Sequence, residues 1–167
     1  LPLIEMAEPE VLQPLDEAIG SLPNWHWLLF TSANGVKFFF ERLLHLQRDA
    51  RALSHVRIAA VGSKTAQALS ERNIRADLIP VDPSQRGLIS ELSTLEVEGL
   101  RFLFPTSDLS RTELPDALKA RGAHVECVIA YQNRAPKVDQ TGAQLTSEWP
   151  IDLIVFNSPS AIHHAYE

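Results

Sequence analysis

Trp27-Leu28-Leu29-Phe30-Thr31-Ser32-Ala33-Asn34-Gly35-Val36 joins an apolar run of strand length to the start of a helix through a short polar turn. Leu153-Ile154-Val155-Phe156-Asn157-Ser158-Pro159-Ser160-Ala161-Ile162 repeats the arrangement when Phe30 and Phe156 are superposed. Strand, serine and helix start coincide, which reads as an internal repeat. Apolar strands resemble one another easily, but the shared Phe-x-Ser followed by a small polar turn is more specific than that. The second copy opens at Ile151 and stops just inside its first helix, and a half-built α/β unit cannot cover its sheet. The expectation is therefore a piece of a two-domain protein, with roughly 25 to 35 residues missing in front and roughly 55 to 75 behind.

Outward from Trp27, β-rich runs alternate with helical patterns. Trp27 to Thr31, Arg57 to Val61, Asp77 to Ile79, Arg101 to Pro105, His124 to Ala130 and Ile151 to Asn157 read as six strands. Gly35 to Gln47, Lys64 to Arg72, Gln85 to Leu95 and Arg111 to Arg121 carry apolar residues at three and four spacing and read as amphipathic helices. Asn73 and Gly122 follow two of them and tolerate the left-handed backbone that closes a helix. Ile151 to Phe156 is apolar on nearly every position, as a strand covered on both faces must be, so the fold class is α/β with a parallel sheet. Leu1 to Pro9 and Gln132 to Asp139 break the alternation, contain proline and read as extended linkers at a domain boundary.

Composition narrows the function classes. Apolar residues make up 45% of the 167 and charged residues 22%, enough to bury a core and too ordered a mixture for a disordered chain. The apolar runs are too short to span a bilayer and no leader pattern opens the sequence, so a cytoplasmic protein without a membrane partner is expected. Net charge is −6 with the Lys and Arg scattered, which argues against nucleic acid as a partner. Cys127 is the single cysteine, lies in the apolar run Val125 to Ala130, and is expected to be a buried, inert thiol. His163 and His164 would point about 100° apart on a helix and share no metal, and His26, His45, His55 and His124 lack ligand spacing.

Chemistry, if any, belongs to the strand ends. Thr31-Ser32-Ala33-Asn34, Gly62-Ser63-Lys64-Thr65 and Thr106-Ser107-Asp108-Leu109-Ser110 each lead from a strand toward a helix, with Asn157-Ser158-Pro159-Ser160 as a fourth. In a parallel sheet these ends share one edge, where such proteins take ligands. Helix N-termini with hydroxyls suit carboxylates or phosphates without formal positive charge. The same residues are ordinary N-caps, and that reading stays open for any single turn. Gly62-Ser63-Lys64-Thr65 is not a nucleotide phosphate loop, because Ser63 precedes Lys64 and Ile58 stands where the earlier glycine belongs. Tyr131 ends its strand where the linker begins, either as a half-buried interface residue or as a proton donor.

Phe102 to Leu118, with Arg121-Gly122-Ala123 and Ile129-Ala130-Tyr131-Gln132, resembles the signature of the uroporphyrinogen-III synthases, as do Phe30-Thr31-Ser32 and Ala60 to Leu69. The resemblance runs from about Leu1 to Tyr166. It implies two similar flavodoxin-like parallel-sheet domains joined by a two-stranded β linker. Residues 1–136 would be one complete α/β domain with linker strands, and 137–167 the start of the return segment of the other, incomplete domain. It also implies that hydroxymethylbilane, a small-molecule linear tetrapyrrole with eight carboxylates, is dehydrated and cyclised with inversion of its last ring, without metal or organic cofactor. Tyr131 matches a family tyrosine and would be the general acid. The substrate-binding residues would be Thr31, Ser32, Ala33 and Asn34; Gly62, Ser63, Lys64 and Thr65; Pro105, Thr106, Ser107 and Asp108; and Ser158 and Ser160. Thr106-Ser107 departs from the glycine-bearing turn of many relatives. A monomer is expected. The rival reading is a non-catalytic α/β module binding an anionic metabolite, including a regulatory one; a second Val-Gly-x-x-Thr loop beyond residue 167 would favour the synthase.

Overall fold

Trp27–Phe30 is a strand, β2, and all four residues are buried, because neighbours cover both of its faces. The computed structural model describes residues 4–134. Within them the order is β1 (Glu5–Ala7), α1 (Gln13–Gly20), β2, α2 (Ala33–His45), β3 (Arg57–Ala60), α3 (Gly62–Ser70), α4 (Gln85–Ser93), β4 (Arg101–Ser107), α5 (Glu113–Lys119) and β5 (His124–Arg134). The strands form one five-stranded sheet in the order β1-β5-β4-β2-β3. β2 runs parallel to β3 and β4, and β4 parallel to β5, as the alternation of strands and helices requires. The chain divides into two units, Leu1–Ala7 with Asn133–Glu167 and Glu8–Gln132. The helices, β2 to β4 and the site below belong to the second.

Side chains alternate across each strand and choose the helix each face meets. Trp27, Leu29, Phe102 and Phe104 pack against Leu88 and Leu92 of α4 and Leu114 and Leu118 of α5. Trp27 and Phe102 stack with centroids 6.3 Å apart. Phe30 points the other way and meets Phe39 and Phe40 of α2. Burying each fully enclosed phenylalanine stabilises the fold by about 2–3 kcal/mol, and Phe30, Phe39, Phe102 and Phe104 are all enclosed. Helix ends are tied by cations: Arg42 of α2 grips Asp16 of α1, and the Arg121 guanidinium donates to the carbonyls of Leu92 and Leu95 at the end of α4, both at 2.8 Å.

Several expectations change. Asp77 to Ile79 is not a strand but a single bridge between Leu78 and Ala59. The Asp77 carboxylate itself accepts from the Ile58 N–H at 2.7 Å, taking a donor that a ladder carbonyl would otherwise serve, and Pro80 ends the pairing. Helix α1 was not expected, although Pro14 in its first turn and buried Leu15, Ala18 and Ile19 follow helical spacing. Cys127 is exposed, not buried. It pairs in register with Phe104, but the cluster that α4 and α5 build over that face takes in Phe104 and, on β5, Val125, and does not include Cys127. Desolvation by its surroundings still pushes the thiol above its usual range, which keeps it protonated. The turns at Asn73 and Gly122 do take positive φ, at 58° and 81°. Ile151 to Asn157 lies outside the described residues, and so does the second copy of the repeat. Among the described residues no helix is long and apolar enough to cross a membrane.

Candidate active site

Two of the expected turns meet at the carboxyl ends of β2 and β3. Thr31, Ser32 and Ala33 line a cavity of about 410 Å³ together with Gly62, Ser63, Lys64, Thr65 and Pro83. A neighbouring depression of about 760 Å³ shares Gly62, Ser63 and Pro83 and adds the apolar residues Ile79, Pro80 and Val81. Val81 is 93% exposed. A third depression, of about 590 Å³, opens beside Trp25, Arg101 and His124 at the other ends of the strands. The first is the candidate because ligands of parallel sheets bind beyond the carboxyl ends.

The two helix starts are built differently. Ser32 is the N-cap of α2, in extended conformation, and its Oγ accepts from the Gly35 N–H at 2.9 Å. The Ala33 and Asn34 N–H groups follow directly, and the helix itself offers them no acceptor. α3 has no side-chain cap; Val61 holds the cap position, and Gly62 follows at φ +78°. That left-handed backbone needs glycine. Ser63 and Lys64 are exposed beside it, and Thr65 is buried. The result is a pair of amide-bearing helix ends with hydroxyls and one lysine on the rim, an arrangement whose chemistry suits anions.

The third turn is different from the expectation. β4 continues through Thr106 and Ser107, which pair with Ile129 and Tyr131 across a bulge, and α5 begins only at Glu113. Thr106 and Ser107 therefore belong to the sheet ladder and not to a helix N-terminus; Thr106 is buried. Pro105 serves the site indirectly, its carbonyl oxygen packing under Gly35. Asp108 follows in the turn that the Ser110 N–H closes onto the Ser107 carbonyl. Ser158 and Ser160 lie outside the described residues.

Tyr131 is 9% exposed. Its hydroxyl lies 3.0 Å from Ser32 Oγ, and its ring stacks on Phe38 of α2, centroids 5.7 Å apart and 16° from parallel. The bulge opposite Ser107 sets where this ring points. Phe38 and Pro83 were not foreseen as site residues. The prolines at 80 and 83 are loop signals that could have marked the wall beside Gly62; nothing in the spacing marks Phe38. Among the described residues no three His, Cys, Asp or Glu side chains group as a metal site.

These features define a parallel α/β protein whose candidate ligand edge is made of helix N-termini and hydroxyls. The family model described as uroporphyrinogen-III synthase HemD matches residues 1–167, and the chain belongs to that family. It is 32% identical to a uroporphyrinogen-III synthase of Synechococcus elongatus over 98% of this chain and 62% of that protein. It is 27% identical to the enzyme of the same name from Chlorobaculum parvum over 89% and 62%. The fold is similar to that of a mutant uroporphyrinogen III synthase of Thermus thermophilus, with a TM-score of 0.64 at 20% identity over 87% of this chain and 56% of that one. The chain thus spans less than two thirds of the length of these relatives.

Proposed function

We propose that the protein is a uroporphyrinogen-III synthase, closing hydroxymethylbilane to uroporphyrinogen III with loss of one water and inversion of the last ring, in tetrapyrrole biosynthesis. The observation that carries this reading is the meeting of Ser32, the capped start of α2 and the uncapped start of α3 at one sheet edge. A substrate with many carboxylates and an acidic protein are reconciled there by backbone amides, Lys64 and hydroxyls. In this reading the backbone N–H groups of the Thr31 to Asn34 and Gly62 to Thr65 turns, with Lys64, hold carboxylates, and Ile79 and Val81 offer apolar surface to pyrrole rings.

The chemistry asks for little beyond geometry and one proton. The hydroxymethyl C–O bond breaks and its oxygen leaves as water, taking a proton from Tyr131. The cationic carbon left behind is attacked by the substituted carbon of the last ring. The resulting spiro intermediate reopens and recloses with that ring inverted, and the final proton loss restores Tyr131. Holding one fold of the linear chain is what selects this path over direct closure. Residues 1–136 would form one domain with linker strands, and 137–167 would return to a second, similar domain. The protein would act as a cytoplasmic monomer without cofactor.

The test is a coupled assay on the full-length protein. Freshly generated hydroxymethylbilane is supplied and the oxidised products are resolved by isomer. Predominantly type III product is expected; type I product at the spontaneous rate from folded protein would reject the reading.

A further inference from the structure

We propose that Ser32 is a positioning residue for the reaction: its hydroxyl donates to Tyr131 Oη and holds the phenol with its own proton free for the leaving group. This rests on the proton-donor reading of Tyr131 given above.

A serine hydroxyl has one proton and two lone pairs. The Gly35 N–H, at 2.9 Å, uses one lone pair of Ser32 Oγ. What remains faces Tyr131 Oη at 3.0 Å, where either oxygen is placed to donate. A phenol that donated to Ser32 would be directing the very proton it has to deliver into the cap. A serine that donates leaves the phenol its proton and gives the oxygen a partner as that proton departs. The helix decides between them. Ser32 sits at the positive end of α2 and has already accepted an N–H bond, and both make its O–H the stronger donor. The same helix fixes the other half of the side chain, through the Phe38 ring stacked on Tyr131. One element therefore sets both the face of the phenol ring and the direction of its hydroxyl.

The experiment is a double-mutant cycle on the full-length protein with hydroxymethylbilane as substrate, reading kcat and KM separately. Ser32→Ala should lower kcat about tenfold while KM changes less than about twofold, the pattern of a group acting on the chemical step. Ser32→Thr, which keeps the hydroxyl, should restore most of kcat. In a Tyr131→Phe background Ser32→Ala should have no further effect on kcat. Glycine is well tolerated at an N-cap, so Ser32→Gly repeats the test if the alanine variant folds poorly. Unchanged kcat in the folded serine variants, or an equal loss with and without the Tyr131 hydroxyl, would overturn the proposal while leaving the synthase reading standing. Wild-type turnover by Tyr131→Phe would remove the proton-donor role and this inference with it, and absence of type III product from the parent protein would reject the function itself.

Discussion

A Cβ placed on Gly35 would stand 3.2 Å from the carbonyl oxygen of Pro105 and 3.3 Å from Ser32 Oγ. The start of α2 therefore rests close on the backbone of β4, and a side chain at this position requires that backbone or Ser32 Oγ to give by a few tenths of an ångström. Alanine in a helix is ordinarily favoured over glycine by about 0.8–1 kcal/mol. Here the displacement of α2 outweighs that gain, and Gly35→Ala is expected to destabilise by about 1 kcal/mol net. Because the shift moves Ser32, turnover should fall as well. Urea unfolding and the coupled assay check the two halves; a more stable variant with full turnover would show that the contact yields easily.

Gly62→Ala places a side-chain-bearing residue at φ +78°. The left-handed conformation costs about 1–2 kcal/mol for a residue with a Cβ, and relief would come by rotating the amides of the α3 start. KM for hydroxymethylbilane should rise more than kcat falls, since carboxylate contacts and not the proton donor are disturbed. Equal loss in both constants would point to a wider collapse of the site.

Tyr131→Phe keeps the ring on Phe38 and removes only the hydroxyl bonded to Ser32. Stability should change by no more than about 1 kcal/mol. Turnover should fall about a hundredfold, the lower end of what a positioned acid contributes. Thermal unfolding alongside initial rates separates the two effects.

Arg42 holds Asp16 with two bonds, at 2.5 and 2.6 Å. The hydrogen bonds from Arg42, with its charge, lower the Asp16 pKa below the usual 3.8. The folded state thus binds the proton less readily than the unfolded chain. The stabilisation is fully present above the unfolded value and is lost as pH falls through the folded one. Partial exposure, 13% for the Arg42 side chain and 30% for Asp16, screens the pair, so Asp16→Asn should cost about 1 kcal/mol at pH 7. Its stability should then fall less than that of the parent as pH drops through and below the ordinary carboxylate value of 3.8. Unfolding midpoints across that range test the slope.

What the sequence disclosed follows from which forces are local. β2, β3 and β4 announce themselves because their buried stretches, Trp27 to Phe30, Ile58 to Ala60 and Phe102 to Pro105, are apolar at every position, and the Asn73 and Gly122 turns because few residues take positive φ. α1 was overlooked beside the proline-rich start, although Pro14 with Leu15, Ala18 and Ile19 carries the signal. Asp77 to Ile79 has the composition of a strand, and no pattern reveals a carboxylate accepting from Ile58 in place of a ladder carbonyl. The turn after Pro105 misleads for a related reason. A hydroxyl-rich stretch looks the same whether it caps a helix or extends a strand, and here the pairing with β5 keeps Thr106 and Ser107 in the sheet. Cys127 looked buried because its neighbours are apolar, but coverage depends on where α4 and α5 stop. The meeting of the first two turns was legible from topology alone. The bond from Ser32 to Tyr131 was not, since it depends on the register of strands far apart in sequence.

Ser32 and Tyr131 are separated by 99 residues. Closing so long a loop is entropically costly, so this contact cannot lead the search for the native state. The start of α2 can form early from neighbours along the chain, but its partner arrives only when β5 has taken its place beside β4. Competence is therefore acquired late, after most of the sheet exists. A refolding chain should regain its helical signal before it regains turnover, and a partially assembled molecule would carry the serine with nothing to aim.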